Sequence, residues 1–190
     1  GWYPVCKSSH LKRGQADSFL ISYQRVAVFR DHEGEVAAID AFCPHMGADL
    51  GNGKVVEGTL QCYFHQWCYG RNGALEKVRC GDMPKNVGVQ AWPAEEKYGF
   101  VWVYSAPHAP YPVPLPSGLE GQDVEALHLG RVKLFAHHHV MMVGGIDLLH
   151  FATVHQLDVD FDLKVDAPND QTVVWKLDGR VPPRGWRGKL

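Results

Sequence analysis

The sequence predicts an α+β protein in which an N-terminal antiparallel β domain is followed by the start of a second, α+β domain. Short apolar runs alternate with turn-forming residues through the first half of the chain. Five prolines then fall within residues 107–116, and a segment with helical spacing follows at residues 147–155. A chain of 190 residues is long enough for one domain or for two small ones, and the proline cluster favours two.

Strand signals dominate the first half. Residues 25–30 are apolar and β-branched, residues 31–34 contain turn formers, and residues 36–40 are apolar again, which predicts two strands joined by a turn. Asn72-Gly73 predicts a hairpin, because both residues tolerate positive φ. Residues 100–104 predict a buried strand. We therefore predict a β domain over residues 1–106.

The proline cluster predicts a domain boundary. Each proline lacks an N–H donor and fixes φ, so residues 107–118 are predicted to be an extended linker. The second domain would then cover residues 119–190. Within it, residues 122–143 are predicted to be strand-like, and this includes the run His137–His139. Adjacent strand residues point to opposite faces, so these three histidines are not expected to bind one metal ion.

Two Cys–His pairs carry the strongest chemical signal. One residue separates Cys43 from His45, and two residues separate Cys62 from His65. Two thiolates and two imidazoles on two loops suit a 2Fe–2S cluster with Cys on one iron and His on the other. A structural zinc site is the alternative, but zinc ligands are usually spaced as Cys-x2–4-Cys and His-x3–5-His. The spacing therefore favours the iron–sulfur cluster, which transfers single electrons.

The flanks of these pairs resemble a known family. Residues 43–48 (Cys-Pro-His-Met-Gly-Ala) and 62–67 (Cys-Tyr-Phe-His-Gln-Trp) resemble the two cluster loops of Rieske proteins. Rieske proteins of cytochrome complexes carry a disulfide at the positions of Ala48 and Phe64, so this chain resembles the low-potential ferredoxin and oxygenase type. Gln66 departs from the oxygenase pattern, which commonly has Gly there.

A second group of candidate metal ligands follows the prolines. Asp147 and His150 would share one face of a helix, whereas His150 and His155 would lie about 140° apart around it. Both histidines can bind one ion only if the helix breaks or bulges between them. Two imidazoles with a later carboxylate form the facial triad of non-haem Fe(II) enzymes, although two histidines on a helix are more often structural.

The order of the motifs resembles the α (terminal oxygenase) subunit of Rieske non-haem iron oxygenases, whose mononuclear-iron motif is Asp-x2-His-x4-His. The resemblance implies a helix-grip-like catalytic domain in which His150 and His155 bind Fe(II). It also implies that Asp147 links this iron to a cluster histidine of a neighbouring subunit. The third ligand, an Asp in the family, is expected beyond residue 190, so we expect the chain to be part of a longer protein. The acids at positions 158, 160, 162 and 166 are predicted to face solvent.

The resemblance implies a terminal oxygenase. Electrons would pass from the Rieske cluster to the mononuclear iron, where O2 is activated to hydroxylate, demethylate or desaturate a hydrophobic organic substrate. A ferredoxin or flavin reductase would donate the electrons, and the subunits would form a homotrimer. The run Gly-Ala-Asp-Leu at 47–50 resembles the branch with 3-ketosteroid hydroxylases and cholesterol desaturase. The alternative is a Rieske ferredoxin, an electron carrier that needs only the first domain.

Composition and charge indicate which partners and which cellular compartment suit the chain. A net charge of −2 argues against nucleic acid as a partner. Apolar stretches are too short for a transmembrane segment, so none is expected. An odd count of five cysteines, two of them assigned to iron, does not suit a secreted disulfide framework, and we expect a cytoplasmic protein.

Overall fold

The computed structural model describes residues 1–115, 118–122, 124, 134–157, 160–169 and 172–180. The chain divides into two compact units, Gly1–His128 and Leu129–Leu190. In chain order the elements are β1 (Trp2–Lys7), β2 (Ala16–Ile21), β3 (Gln24–Arg30), β4 (Val36–Asp40), a 3-10 turn (Leu50–Asn52), β5 (Lys54–Val56), β6 (Thr59–Gln61), β7 (Cys68–Tyr69), β8 (Leu75–Lys77), β9 (Ala91–Trp92), β10 (Ala94–Lys97), β11 (Phe100–Tyr104), α1 (His138–Gly144), α2 (Leu148–Thr153), β12 (Asp160–Asn169) and β13 (Thr172–Arg180).

The described strands of the first unit form three antiparallel sheets, with strand orders β1-β11-β10, β2-β3-β4-β9 and β5-β6-β7-β8. Strand β3 is buried on both faces, because its side chains alternate between two apolar clusters. Val26 and Val28 pack with Val101 of β11, whereas Ala27 and Phe29 pack in a cluster with residues of β6 and β7. This second cluster also contains the two candidate ligand cysteines. Strand β3 therefore packs in the same apolar cluster as the two candidate ligand cysteines.

The strand predictions for the first half are confirmed. Strands β3 and β4 pair antiparallel with Arg30 opposite Val36, as the turn at residues 31–34 indicated. Strands β7 and β8 form the hairpin predicted at Asn72-Gly73, and Gly73 has φ +78°. A Cβ on Gly73 would lie 2.0 Å from the carbonyl oxygen of Val89, so glycine is required there for both conformation and space.

The proline-rich segment is not a free linker along its whole length. Residues 107–115 carry no strand or helix, as predicted, but part of the segment packs on the β10 and β11 side of the first unit. The indole Nε1 of Trp2 donates to the carbonyl oxygen of Tyr111 at 2.9 Å. Val113 is 1% exposed, and its N–H and C=O both bond to charged side chains of β10. We call residues 109–113 the strap. The role of residues 107–118 as a domain boundary remains a prediction.

The strand predicted before the iron motif is wrong where the structure describes it. Residues 138–144 form helix α1, and His137 caps it, because its Nδ1 accepts a hydrogen bond from the N–H of His139. A side-chain acceptor at this position satisfies an N–H that a helix start otherwise leaves unpaired, which favours the helix over a strand. Residues 123 and 125–133 of that prediction lie outside the described residues.

The second unit continues with α2 and a hairpin of β12 and β13. Asp160, Asp162 and Asp166 are exposed on β12, which agrees with their prediction as solvent-facing acids, and Asp158 lies outside the described residues. Neither described helix, at seven and six residues, has the length or apolar character needed to cross a membrane.

The strap predicts a measurable contribution to stability. Val113→Ala is expected to lower the free energy of unfolding by about 1–2 kcal/mol, because it removes buried methyl groups and leaves a cavity. The control Leu20→Ala truncates a side chain that is 70% exposed, and it is expected to cost less than about 0.5 kcal/mol. Urea unfolding followed by tryptophan fluorescence measures both. Equal effects of the two variants would show that the strap is not packed.

Candidate metal centres

The first candidate ligand loop, residues 43–48, follows β4 and is closed by its own backbone. The N–H of Cys43 donates to the carbonyl of Ala48 at 2.9 Å, and the N–H of Gly47 donates to the carbonyl of Cys43 at 2.8 Å. Gly47 has φ +71°, the left-handed region that favours glycine. The loop therefore curls back on its own cysteine.

The second loop, residues 62–67, joins β6 to β7 and repeats this closure. The N–H of Cys62 donates to the carbonyl of Trp67 at 2.8 Å, and the N–H of Gln66 donates to the carbonyl of Cys62 at 3.0 Å. Gln66 has φ +60° and is equivalent to Gly47, four residues after the cysteine. A left-handed conformation costs a residue with a side chain about 1 kcal/mol or more, which explains why glycine suits this position. Here the loop geometry is kept without it.

The two loops bring the four predicted cluster ligands together. Cys43 and Cys62 are buried in the same apolar cluster. The rings of His45 and His65 lie 4.5 Å apart between centroids at an interplanar angle of 70°. His45 is exposed and His65 is half-buried. The thiols thus face the core and the imidazoles face outward, which is a donor set sorted for a cluster with Cys on one iron and His on the other.

Two aromatic side chains contact the ligands of the first loop. The hydroxyl of Tyr69, which is fully buried, lies 3.0 Å from the Sγ of Cys43. Burial, followed by this hydrogen bond, raises the pKa of Tyr69, so its hydroxyl keeps the proton that a thiolate can accept. Burial also raises the pKa of the Cys43 thiol, so an ionised sulfur there needs a compensating positive charge such as iron. The ring of Trp67 stacks on His45 at 4.4 Å and 9°.

Asp49 anchors the end of the first loop. Its carboxylate accepts hydrogen bonds from the hydroxyl of Ser18, the N–H of Gly51 and the Nε of Arg25, the last at 2.6 Å. Burial opposes ionisation, but the hydrogen bonds from Ser18 and Arg25 outweigh it and hold the pKa of Asp49 below its usual value. The loop is thereby tied to β2 and β3. This role was not predicted from the sequence, although an acid before Leu-Gly-Asn is a recognisable cap signal.

The second candidate site lies at the end of a short helix. The side chain of Asp147 caps α2 by accepting from the N–H groups of Leu149 and His150. The helix ends at Thr153, and the N–H of His155 reaches the carbonyl of His150 five residues back. The rings of His150 and His155 then lie 4.9 Å apart, whereas a regular helix would separate them. The helix therefore ends between the two histidines, which is the condition for both to bind one ion.

A complete metal site for a single ion is not present in the described part of the chain, where no three His, Cys, Asp or Glu side chains gather to hold one ion. For a 2Fe–2S cluster this is expected, because each iron takes two protein ligands. For the second site it means that His150 and His155 still need the carboxylate of a facial triad.

Comparison with known proteins places this geometry in a family. Residues 1–93 match the family model described as the Rieske 2Fe-2S domain. Cholesterol 7-desaturase of Drosophila melanogaster is 31% identical over 164 residues, which is 82% of this chain and 38% of that protein. The 3-chlorobenzoate-3,4-dioxygenase oxygenase subunit of Comamonas testosteroni is 31% identical over 192 residues, 96% of this chain and 42% of that protein. The chain carries a Rieske 2Fe-2S domain, and its relatives are α subunits of Rieske oxygenases.

Solved structures agree with this relationship to the Rieske oxygenases. Dicamba monooxygenase bound to dicamba matches with a TM-score of 0.55 and 26% identity, over 60% of this chain and 38% of that one. The chain thus spans 38% to 42% of the length of these relatives. The cofactors of the family are the Rieske 2Fe–2S cluster and a mononuclear non-haem iron. None of the five cysteines, all of which are described, forms a disulfide.

The anchor of the first loop predicts a pH-dependent stability difference. A carboxyl with a lowered pKa stabilises the fold above the pKa of the unfolded chain, near 3.9, and this contribution is lost as the pH falls through the folded value. Asp49→Asn is therefore expected to lower the free energy of unfolding by about 1 kcal/mol at pH 7. Its difference from the parent protein should shrink below about pH 4.

Urea unfolding across this pH range measures the effect of Asp49→Asn. Asp82→Asn, in an exposed loop, removes the same charge and serves as the control. A difference for Asp49→Asn that grows on acidification, or that matches the control at pH 7, would contradict the anchoring role.

Proposed function

We propose that this Rieske oxygenase is the terminal component of an electron-transfer system. In the proposal, Cys43, His45, Cys62 and His65 hold the 2Fe–2S cluster. His150 and His155 hold the mononuclear iron together with a carboxylate from elsewhere in the protein. When bound, the cluster supplies one electron at a time, and the iron activates O2 to hydroxylate, demethylate or desaturate an organic substrate.

One observation carries this proposal over an electron carrier. The second unit brings His150 and His155 to 4.9 Å, and Asp147 fixes the backbone of His150. A ferredoxin with only a Rieske cluster has no need for this second pair of imidazoles. The spacing Asp-x2-His-x4-His and the helix end that unites the two rings together support a second metal site.

The residues around the cluster ligands have distinct tasks in this proposal. The apolar cluster around Cys43 and Cys62 keeps water from the thiolates, which raises the strength of hydrogen bonds to them. Tyr69 donates one such bond, and Trp67 orients His45 by stacking on it. Because His45 is exposed, the electron would enter and leave on the imidazole side.

Asp147 has two proposed roles. As the cap of α2 it holds His150 in place, and as an anion it would link the iron site to a cluster histidine of a neighbouring subunit. Such a link requires that each cluster serve the iron of another subunit, which favours a closed ring, and we propose a homotrimer. The cap uses one carboxylate oxygen, Oδ1, for both of its hydrogen bonds.

The proposed partners follow from the chemistry and from the relatives. A ferredoxin or flavin reductase would donate electrons in a reducing, cytoplasmic compartment. The relatives named above act, by their names, on cholesterol, 3-chlorobenzoate and dicamba, and we propose a hydrophobic organic substrate for this protein. Nucleic acid is not among the proposed partners, because the net charge is −2.

The two metal centres can be separated by mutation. In the complete α subunit we expect about three irons per chain, two in the cluster and one at the mononuclear site. His150→Ala should remove about one iron and keep the EPR signal of the reduced cluster, whereas His65→Ala should remove that signal. His108→Ala, at an exposed position, is the control. Two irons per chain in the parent protein, with no loss in His150→Ala, would favour the ferredoxin.

The proposed link through Asp147 predicts a separation of binding from turnover. Asn caps helices as well as Asp, so Asp147→Asn should keep α2 and the iron at His150. Substrate turnover should nevertheless fall on the order of tenfold to a hundredfold, because the anionic link is lost. Single-turnover kinetics with the pre-reduced protein measures this. Turnover at the parent rate with both metals present would refute the link.

A further inference from the structure

Gln66 holds a left-handed backbone conformation beside a proposed cluster ligand. Its equivalent in the first loop is Gly47, which adopts the same conformation without cost. Strained residues persist where the surrounding structure holds them, and they gather at functional sites. The loop closure is the same in both loops, so the backbone alone does not require a glutamine side chain at this position. The closure of the loop therefore does not account for the side-chain amide of Gln66.

The side chain of Gln66 fixes an arginine. The Nη1 of Arg79 donates to the Oε1 of Gln66 at 2.6 Å. Both residues line a cavity of about 330 Å³ together with His45 and His65. The ion pairs of the described residues do not include Arg79, whereas Arg71 is paired with two carboxylates. Gln66 thus holds a positive charge, without an ion pair among the described residues, at the cavity that both imidazoles line.

The positive charge of Arg79, held at this place, changes the electron affinity of the proposed cluster. With two ferric ions, two sulfides, two thiolates and two neutral imidazoles, the proposed centre is neutral, and one added electron makes it singly negative. A nearby positive charge stabilises the reduced form more than the oxidised form. An arginine side chain that moved freely in solvent would stabilise the reduced form less, because its charge would be farther from the cluster and more screened.

We infer that Gln66 and Arg79 form a positioning pair that raises the reduction potential of the Rieske cluster. Arg79 supplies the charge, and Gln66 holds it beside His45 and His65. The inference rests on the cluster ligands of the proposed function. Neither residue belongs to the ligand motifs, and the sign in the sequence is the absence of glycine at position 66.

The test is a redox titration of the purified holoprotein, followed by visible circular dichroism and EPR of the cluster. Arg79→Gln is expected to lower the equilibrium constant for one-electron reduction about threefold, a downward shift of about 28 mV at 59 mV per tenfold. The shift should shrink in high salt, because Arg79 is exposed. Arg71→Gln removes the same charge from a cation already paired, and it should leave the potential within error of the parent protein.

Gln66→Gly tests the positioning role without risk to the fold. Glycine adopts the left-handed conformation freely, so the loop should close as before. The potential should fall, by no more than in Arg79→Gln, and the double variant should match Arg79→Gln alone, because the amide acts only through the arginine. Tyr69→Phe, which removes the hydrogen bond to the Cys43 sulfur, should lower the potential and shows that the titration is sensitive.

The outcomes separate this inference from the proposed function. A parent holoprotein without a 2Fe–2S EPR signal would refute the cluster assignment. An intact signal with an unchanged potential in Arg79→Gln would overturn the positioning pair alone. Equal shifts in Arg79→Gln and Arg71→Gln would also overturn it, since net charge would then be the cause. Additive shifts in the double variant would show that Gln66 acts independently of Arg79, which contradicts the pair.

Discussion

The closure of the two ligand loops is the constraint on which the candidate cluster site depends. In each loop the cysteine N–H bonds five residues ahead, and the residue four positions on must adopt a left-handed conformation. Only this curl brings histidines that sit two and three residues after their cysteines to 4.5 Å from one another. The geometry of the candidate site is thus encoded in the backbone as well as in four side chains, and the left-handed conformation at positions 47 and 66 is as necessary to it as the candidate ligands.

The two kinds of candidate ligand in the cluster site differ in burial. The cysteines belong to the same apolar cluster as Phe29 of β3 and Tyr69 of β7, while the imidazoles lie outside it. A thiolate among these apolar side chains costs free energy unless the charge of a metal and a hydrogen bond compensate it. In the proposed function, binding of the 2Fe–2S cluster and packing of the core would stabilise one another, and electrons would pass on the side of the site that solvent can reach.

The sequence predicted what depends on local signals. Ligand spacing, the hairpin at Asn72-Gly73 and the break before His155 are all written within a few adjacent residues. Features that depend on distant partners were not predictable. The packing of the strap depends on the hydrogen bond from Trp2 to Tyr111, and the position of Arg79 depends on its bond to Gln66, thirteen residues earlier. Neither contact has a local sequence pattern. Helix α1 was missed because strand propensity outweighed the cap at His137.

Both candidate metal centres arise where regular structure stops. At the cluster, left-handed residues end each loop against its cysteine, and at the second site α2 ends at Thr153 with Gln156 at φ +53°. A continuous helix or strand presents side chains at fixed angles, and those angles do not bring ligands of this spacing together. An interruption costs backbone hydrogen bonds, and Asp49 and Asp147 stabilise the turn and the helix next to these interruptions by capping their N-termini. These acids therefore support both candidate sites even though neither is a proposed ligand.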